Sequence, residues 1–233
     1  MSGSFDPGSL DRVHELQLVI FDCDGVLVDS ERISNDVLAR ALSAEGLPTT
    51  LREARGEYQG LMLSEVLERA QRRLGRTLPE DWLARYERDR DEAFRRELKE
   101  VPGAALAVRR VIAAGVGVCV ASQGKLAKMR LSLGLTGLRD LFAPDALFSA
   151  YSVARGKPHP DLFLHAASSI GVEPSRCVVV EDSAAGVRAG VAAGMRVLGY
   201  VADSDERALR AAGAEPLRSL EELPGRLGLG QPR

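Results

Sequence analysis

The 233-residue sequence predicts an α/β fold in which a parallel sheet carries a small inserted helical segment. Five short apolar runs alternate with helical patterns, and near-continuous apolar strands are typical of a parallel sheet that is covered on both faces. Residues 34–98 break this alternation because they are helical in pattern and strongly charged. We therefore expect an α/β core of residues 15–33 and 99–233, with residues 34–98 as an all-helical insert.

The first predicted strand is Leu18–Phe21, where an apolar run precedes two aspartates and a glycine. Four later apolar runs predict further strands at 116–122, 146–149, 176–180 and 195–201. The segments between them have helical periodicity over 104–114, 126–133, 161–170 and 184–193. Glycines fall at the expected ends of these helices, as helix C-caps often require, at Gly115, Gly134, Gly171 and Gly194.

Residues 34–98 read as a small helical bundle rather than as part of the sheet. Their spacing predicts one shared apolar face, contributed by Leu38, Leu42, Val66, Leu67, Leu74, Leu83 and Phe94. The run 85–100 is mostly charged, and we interpret it as a solvated helix face rather than a binding patch.

Polar side chains gather where the predicted strands end, which is the edge at which open α/β sheets bind ligands. Asp22 and Asp24 follow the first strand, and alternation along an extended chain points both to one side while Cys23 points elsewhere, toward the core. Two carboxylates placed together are tolerated where a cation neutralises them or where the strain serves chemistry, although a turn capped by aspartates stays open on spacing alone. The second and fourth long runs end at Ser122 and at 181–183.

Composition limits the classes of partner. The formal net charge of −2 gives no electrostatic case for nucleic acid or an anionic membrane. No apolar run approaches the ~20 residues of a membrane helix. Three cysteines without C-x-x-C spacing argue against both a disulfide framework and a zinc site. We expect a reduced, cytoplasmic, monomeric protein that acts on a small molecule.

Four motifs, in order, resemble those of the haloacid dehalogenase superfamily of phosphohydrolases. They are D-C-D-G-V-L-V-D-S at 22–30, Ser122, Lys157 within G-K-P-H-P-D, and E-D-S-x-x-G at 181–186. The resemblance covers nearly the whole chain. It implies a Rossmann-like core, identifies residues 34–98 as a cap domain, and places the chain near the β-phosphoglucomutase-like sugar-phosphate branch.

The resemblance also implies a mechanism. Asp22 would attack phosphorus to form an aspartyl-phosphate, and Asp24 would protonate the leaving oxygen and then activate water. Magnesium would be held by the Asp22 carboxylate, the Asp24 backbone carbonyl and Asp182, with Glu181 acting through water or from behind the direct ligands.

Phosphate oxygens would be bound by Ser122, Gln123 and Lys157, while Gly25 allows close approach of the backbone. Each of these residues alone also has a purely structural interpretation. Ser122 and the 181–183 run could be helix caps, and Lys157 could be an exposed loop lysine. Specificity is expected from the cap loop at Glu57, Tyr58, Gln59 and Gly60.

The resulting prediction is a magnesium-dependent phosphatase for a sugar phosphate or sugar-acid phosphate. Asp24 disfavours a dehalogenase, since dehalogenases of the superfamily generally lack that aspartate, and the absence of lysine between Ser34 and Leu98 disfavours a phosphonate hydrolase. A β-phosphoglucomutase-like mutase stays open, although Ser34 and Leu63 stand where the resemblance implies the histidine and the cap arginine of that enzyme. Both departures weaken the mutase interpretation. A catalytically inactive binding or regulatory module is the non-enzymatic alternative.

Overall fold

The computed structural model describes residues 16–201 and 204–229. Within them six strands form one sheet in which all neighbouring strands are parallel. The strands are β1 (Leu18–Phe21), β2 (Gly117–Ser122), β3 (Leu147–Ser149), β4 (Cys177–Glu181), β5 (Arg196–Tyr200) and β6 (Glu215–Leu217). Their order across the sheet is β3-β2-β1-β4-β5-β6. The predicted α/β fold with a parallel sheet is confirmed, and β6 is an additional edge strand.

Helices occupy the segments between the strands and the inserted region. The insert contains α1 (Glu31–Ala44), α2 (Leu51–Tyr58), α3 (Leu63–Leu74) and α4 (Trp82–Glu97). The rest of the described chain contains α5 (Ala104–Ala113), α6 (Leu126–Leu135), α7 (Asp161–Ile170), α8 (Ala184–Ala192), α9 (Glu206–Ala212) and α10 (Leu223–Arg226).

The sheet is buried from both sides, which explains why its strands read as unbroken apolar runs. All four residues of β1 are fully excluded from solvent, and the core cluster extends from this strand through the helices that cover the sheet. Gly134, predicted to end a helix, instead lies inside α6, and the left-handed glycine that follows this helix is Gly137. The helix runs on to Leu135, and the fully buried Leu133 anchors this last turn in the core.

The insert has a hydrophobic cluster of its own. Leu38, Leu42, Val66 and Phe94 are buried as predicted, while Leu67, Leu74 and Leu83 pack partly buried against them. Trp82 stacks on Tyr86 with ring centroids 5.9 Å apart. The domain boundaries at 33/34 and 98/99 stay a prediction, and residue 15, at the start of the predicted core, lies outside the described residues.

The two segments that join the insert to the core are paired with each other. The backbone N–H of Asp29 donates to the carbonyl of Lys99 at 3.0 Å, and that of Val101 donates to the carbonyl of Leu27 at 2.9 Å. The insert therefore leaves and re-enters the core at one place, directly after the loop that follows β1.

The strand order reverses direction at β1. The chain runs outward from β1 to β2 and β3, then returns to place β4 on the other side of β1. A crevice forms at such a reversal, outside the carboxyl ends of the strands. No helix in the described ranges is both long enough and apolar enough to cross a bilayer.

Candidate active site

A cavity of about 120 Å³ lies between the carboxyl ends of β1, β2 and β4 and the inserted helices. It brings together side chains that are far apart in the sequence. Ten of the eleven predicted site residues line it: Asp22, Asp24, Tyr58, Gln59, Gly60, Ser122, Gln123, Lys157, Glu181 and Asp182.

Lys157 places a cation at the end of the cavity that the strands form. Its Nζ donates to Asp22 at 2.6 Å, to Glu181 at 2.5 Å and to the carbonyl of Ala121 at 3.2 Å. The side chain is 4% exposed, and although burial opposes the charged form, Asp22 and Glu181 raise the pKa of this lysine. Lys157 is thus a buried, fully charged group rather than an exposed loop lysine.

Three carboxyl groups form an acidic cluster beside Lys157. Oxygen atoms of Asp22, Glu181 and Asp182 lie within 4.8 Å of one another. Burial, together with the acidic neighbours and against the effect of Lys157, raises the pKa of Asp22 to about 7 and that of Asp182 well above its ordinary value. A divalent cation with oxygen ligands fits this cluster, since it would offset both the cost of burying these carboxylates and the repulsion among them.

Two glycines leave room for this acidic cluster. A Cβ on Gly25, whose φ is +77°, would overlap the carboxylate of Asp182. A Cβ on Gly186 would overlap the carboxylate of Glu181. The backbone can therefore approach both carboxylates closely because these positions carry no side chain.

Glu181 is held by partners on both of its carboxylate oxygens. Oε1 accepts from Lys157, while Oε2 accepts from the backbone N–H of Ser183 at 2.8 Å and from its hydroxyl at 2.9 Å. The Ser183 hydroxyl also accepts from the N–H of Gly186 at 3.0 Å and so caps α8. A carboxylate fixed in this way suits the expected role of Glu181, which is to stabilise the cation site without direct contact with the cation.

Asp24 has a different environment from Asp22. Its carboxylate accepts hydrogen bonds from Lys128 at 2.5 Å, from Ser122 at 3.3 Å and from the hydroxyl of Ser30. Burial opposes ionisation, but Lys128 and these hydrogen bonds lower the pKa of Asp24 below its ordinary value. The two aspartates of the first motif therefore differ in charge preference although they are two residues apart.

Lys128 is a site residue that the sequence interpretation missed. It lies in the first turn of α6, six residues after Ser122, and its side chain is 13% exposed. The usable signal was position: a lysine in the first turn of the helix that starts just after a strand-end motif faces the same edge of the sheet.

Gln123 lies in the site, but its side chain is used structurally. Its Oε1 accepts from the backbone N–H of Lys157 at 3.0 Å, and its Nε2 donates to the Lys157 carbonyl at 3.5 Å. The amide therefore fixes the Lys157 segment. The structure gives Gln123 a positioning role beside the expected phosphate contact.

Glu57 is the predicted specificity residue that lies outside the cavity lining. Its carboxylate pairs with Arg73, and its carbonyl accepts from Arg69 at 2.5 Å. The end of α2 turns Glu57 toward α3 rather than inward. Its neighbours Tyr58, Gln59 and Gly60 do line the cavity.

Arg90 corrects the interpretation of run 85–100 as a solvated face. Several charged residues of this helix are exposed, but Arg90 lines the cavity with a side chain that is 6% exposed. The guanidinium lies 5.7 Å from the ring centroid of Tyr86 and 5.8 Å from that of Phe94. The high charge of the run suggested that all of its charged residues face solvent. Helical periodicity nevertheless turns Arg90 toward the cavity.

Cys23 is buried in the core, as predicted, with its Sγ 3.7 Å from the hydroxyl of Ser132. Burial raises the pKa of this thiol, which opposes formation of a thiolate nucleophile.

Comparison with known proteins decides the family. The sequence model of the haloacid dehalogenase-like hydrolases matches residues 16–194. The chain belongs to the haloacid dehalogenase-like hydrolases. This haloacid dehalogenase-like chain is therefore an enzyme of the hydrolase class, as the four motifs predicted.

Two curated relatives of this hydrolase are similar over nearly their full length. A 6-phosphogluconate phosphatase from Escherichia coli is 32% identical over 210 residues, which cover 90% of this chain and 93% of the relative. A phosphorylated carbohydrates phosphatase from Thermotoga maritima is 32% identical over 216 residues, covering 89% of this chain and 96% of the relative.

A solved structure agrees with this assignment. A haloacid dehalogenase family hydrolase from Deinococcus radiodurans, determined with bound phosphate and sodium, is 34% identical, with a TM-score of 0.75. The similarity covers 94% of this hydrolase and 99% of that chain.

Proposed function

We propose that this hydrolase is a magnesium-dependent phosphatase that cleaves a sugar phosphate or sugar-acid phosphate through an aspartyl-phosphate. One observation carries the proposal: Lys157 and the acidic cluster of Asp22, Glu181 and Asp182 meet at one end of a cavity. A phosphoryl group there would have an ammonium group on one side and a cation site on the other. Phosphoryl transfer depends mainly on such charge neutralisation and on in-line positioning.

Asp22 carries the first step. Its carboxylate oxygen forms a bond to phosphorus, and the ester P–O bond breaks as the leaving oxygen takes a proton from Asp24. Ser122 and Lys157 hold oxygens of the transferring group. Magnesium, when bound at the acidic cluster, would neutralise the carboxylates and the phosphoryl charge.

Asp24 carries the second step. It takes a proton from a water molecule as that water bonds to phosphorus, and the bond between Asp22 and phosphorus breaks to release inorganic phosphate. Asp24 is ionised in this step because it has already given its proton to the leaving oxygen, and Lys128 favours that carboxylate form.

The Asp22→Asn variant tests the nucleophile. With magnesium and an aryl phosphate, the wild-type chain should release phosphate and the variant should not exceed background. Acid-quenched wild-type enzyme should carry a phosphoryl group that the variant lacks. Asp145→Asn is the control because Asp145 is exposed near the start of β3. Normal turnover by Asp22→Asn would disprove the assignment.

A phosphosugar mutase is the second candidate, and Ser34 argues against it. Ser34 lines the cavity at the position where the resemblance implies a histidine in β-phosphoglucomutase. The buried hydroxyl of Ser34 has no hydrogen-bond partner among the described residues. In the presence of catalytic bisphosphate, a mutase would convert β-glucose 1-phosphate to glucose 6-phosphate, whereas the phosphatase releases inorganic phosphate. No turnover on any phosphate ester would instead favour a binding or regulatory module. The monomeric state and cytoplasmic location stay predictions.

A further inference from the structure

Two buried cations lie in the cavity in addition to Lys157. The side chains of Lys128 and Arg90 are 13% and 6% exposed, and both line the cavity. Each charged group lies 5.8 Å from the ring centroid of Phe94, so the two flank a single aromatic side chain. Positive charge withdrawn from water is costly unless anions compensate it.

Each of these two cations is paired with one carboxylate, and these contacts leave hydrogen-bond donors of both cations unused. Lys128 donates to Asp24, and Arg90 donates through Nε and Nη2 to the same oxygen of Asp91, whose side chain is 30% exposed. An ammonium group has three donors and a guanidinium has five. The positive charges of Arg90 and Lys128 also oppose each other.

These cations stand apart from the phosphoryl end of the cavity. Lys157 holds that end with Asp22 and Glu181, whereas Lys128 contacts Asp24, the residue that would face the leaving oxygen. Arg90 lies on α4, on the side of the cavity that the inserted helices form. The part of the substrate beyond the scissile oxygen would therefore run toward Lys128 and Arg90.

We propose that Arg90 and Lys128 form a second anion subsite, which selects phosphate esters that carry a further anionic group. This inference rests on the proposed phosphatase function. The planar fork of Arg90 suits a carboxylate, as in a phosphorylated sugar acid, and a second phosphoryl group shares the same chemistry. Tyr86 and Leu38 line the same cavity and would contact the carbon chain between the two charges.

Matched substrates isolate this subsite. 6-Phosphogluconate and glucitol 6-phosphate share a carbon chain and differ in a terminal carboxylate or hydroxymethyl group. Glucose 1,6-bisphosphate and glucose 6-phosphate form the corresponding pair for a second phosphoryl group. We expect the wild-type kcat/KM to favour the member with the second anionic group in at least one pair by roughly tenfold or more, as for a hydrogen-bonded charge pair.

Arg90→Met should reduce that preference about tenfold, mainly through KM, and Arg90→Lys should restore part of it. Arg88→Met is the matched control, because Arg88 lies on the same helix with a side chain that is 61% exposed. Lys128→Met should lower turnover of all four substrates through Asp24 and also reduce the preference. Arg130→Met, an exposed position on α6, is its control.

The outcomes separate the subsite from the proposed function. Equal kcat/KM values within both pairs, or a preference that survives Arg90→Met, would overturn the subsite while leaving the phosphatase intact. Failure to hydrolyse any of the four, in a preparation that also gives no Asp22-dependent phosphate release from an aryl ester, would overturn both. The pair that shows the preference identifies the second group as carboxylate or phosphoryl.

Discussion

Nζ of Lys128 lies 2.5 Å from Oδ1 of Asp24, which ties the first turn of α6 to the loop after β1. Both side chains are 13% exposed. The contact joins two segments that are more than a hundred residues apart in the chain, so it contributes to the fold as well as to the site.

Lys128→Met should therefore destabilise the protein. The substitution keeps most of the apolar side chain but leaves the Asp24 carboxylate without its cation, and we expect a loss of about 1–3 kcal/mol in the free energy of unfolding at pH 7. Urea unfolding measures the change. Arg130→Met should stay within about 0.5 kcal/mol of wild type, and an equal loss in both variants would contradict the argument.

Gly186→Ala should disrupt the acidic cluster. The new Cβ would overlap the carboxylate of Glu181, which cannot move aside because Lys157 and Ser183 hold it. We expect a loss of more than about 2 kcal/mol in stability together with a large loss of activity. Gly134→Ala, also within a helix but with open space around it, should be neutral or stabilising by up to about 1 kcal/mol. Equal stabilities of the two alanine variants would refute the overlap.

Magnesium should stabilise the folded chain. Binding to the native state at 100 times the dissociation constant adds about 2.7 kcal/mol, which a thermal shift detects without any turnover. Asp182→Asn should abolish the shift, while Asp145→Asn should retain it. Removing magnesium with a chelator should also stop phosphate release. A shift that persists in Asp182→Asn would place the cation elsewhere.

Glu31 should make stability depend on pH in the metal-free protein. Burial, with repulsion from Asp24, raises its pKa from 4.5 to about 7, against opposing effects of Lys128, Asn35 and Arg55. The folded chain then holds a proton that the unfolded chain loses, so stability falls as the pH rises from about 4.5 through 7.

Glu31→Gln removes this penalty. The variant should match wild type near pH 4.5 and exceed it by roughly 1–3 kcal/mol at pH 8, measured by urea unfolding in the presence of a chelator. Glu80→Gln, at an exposed position, is the control. A difference between Glu31→Gln and wild type that does not change with pH would contradict the assignment.

The sequence predicted the sheet well because buried parallel strands appear as near-continuous apolar runs. Asp22, Ser122 and Glu181 could be predicted as site residues because they stand where these runs end. β6 escaped prediction because a three-residue edge strand containing Pro216 has no apolar run to reveal it. Lys128 and Arg90 escaped for another reason. Each lies on a helix. The position of Lys128 in the first turn of α6 indicated the correct edge of the sheet, but whether a charged helical side chain meets a cavity or solvent depends on how the helix packs.

The amide of Gln123 pairs with both the N–H and the carbonyl of Lys157, much as one strand pairs with the next. The segment after β2 and the segment before α7 are thereby mechanically joined. We expect a shift of either segment to carry the other with it, so that the separation of Ser122 from Lys157 stays constant while the inserted helices move. Ser122 and Lys157, which are proposed to hold phosphate, would then behave as one rigid unit.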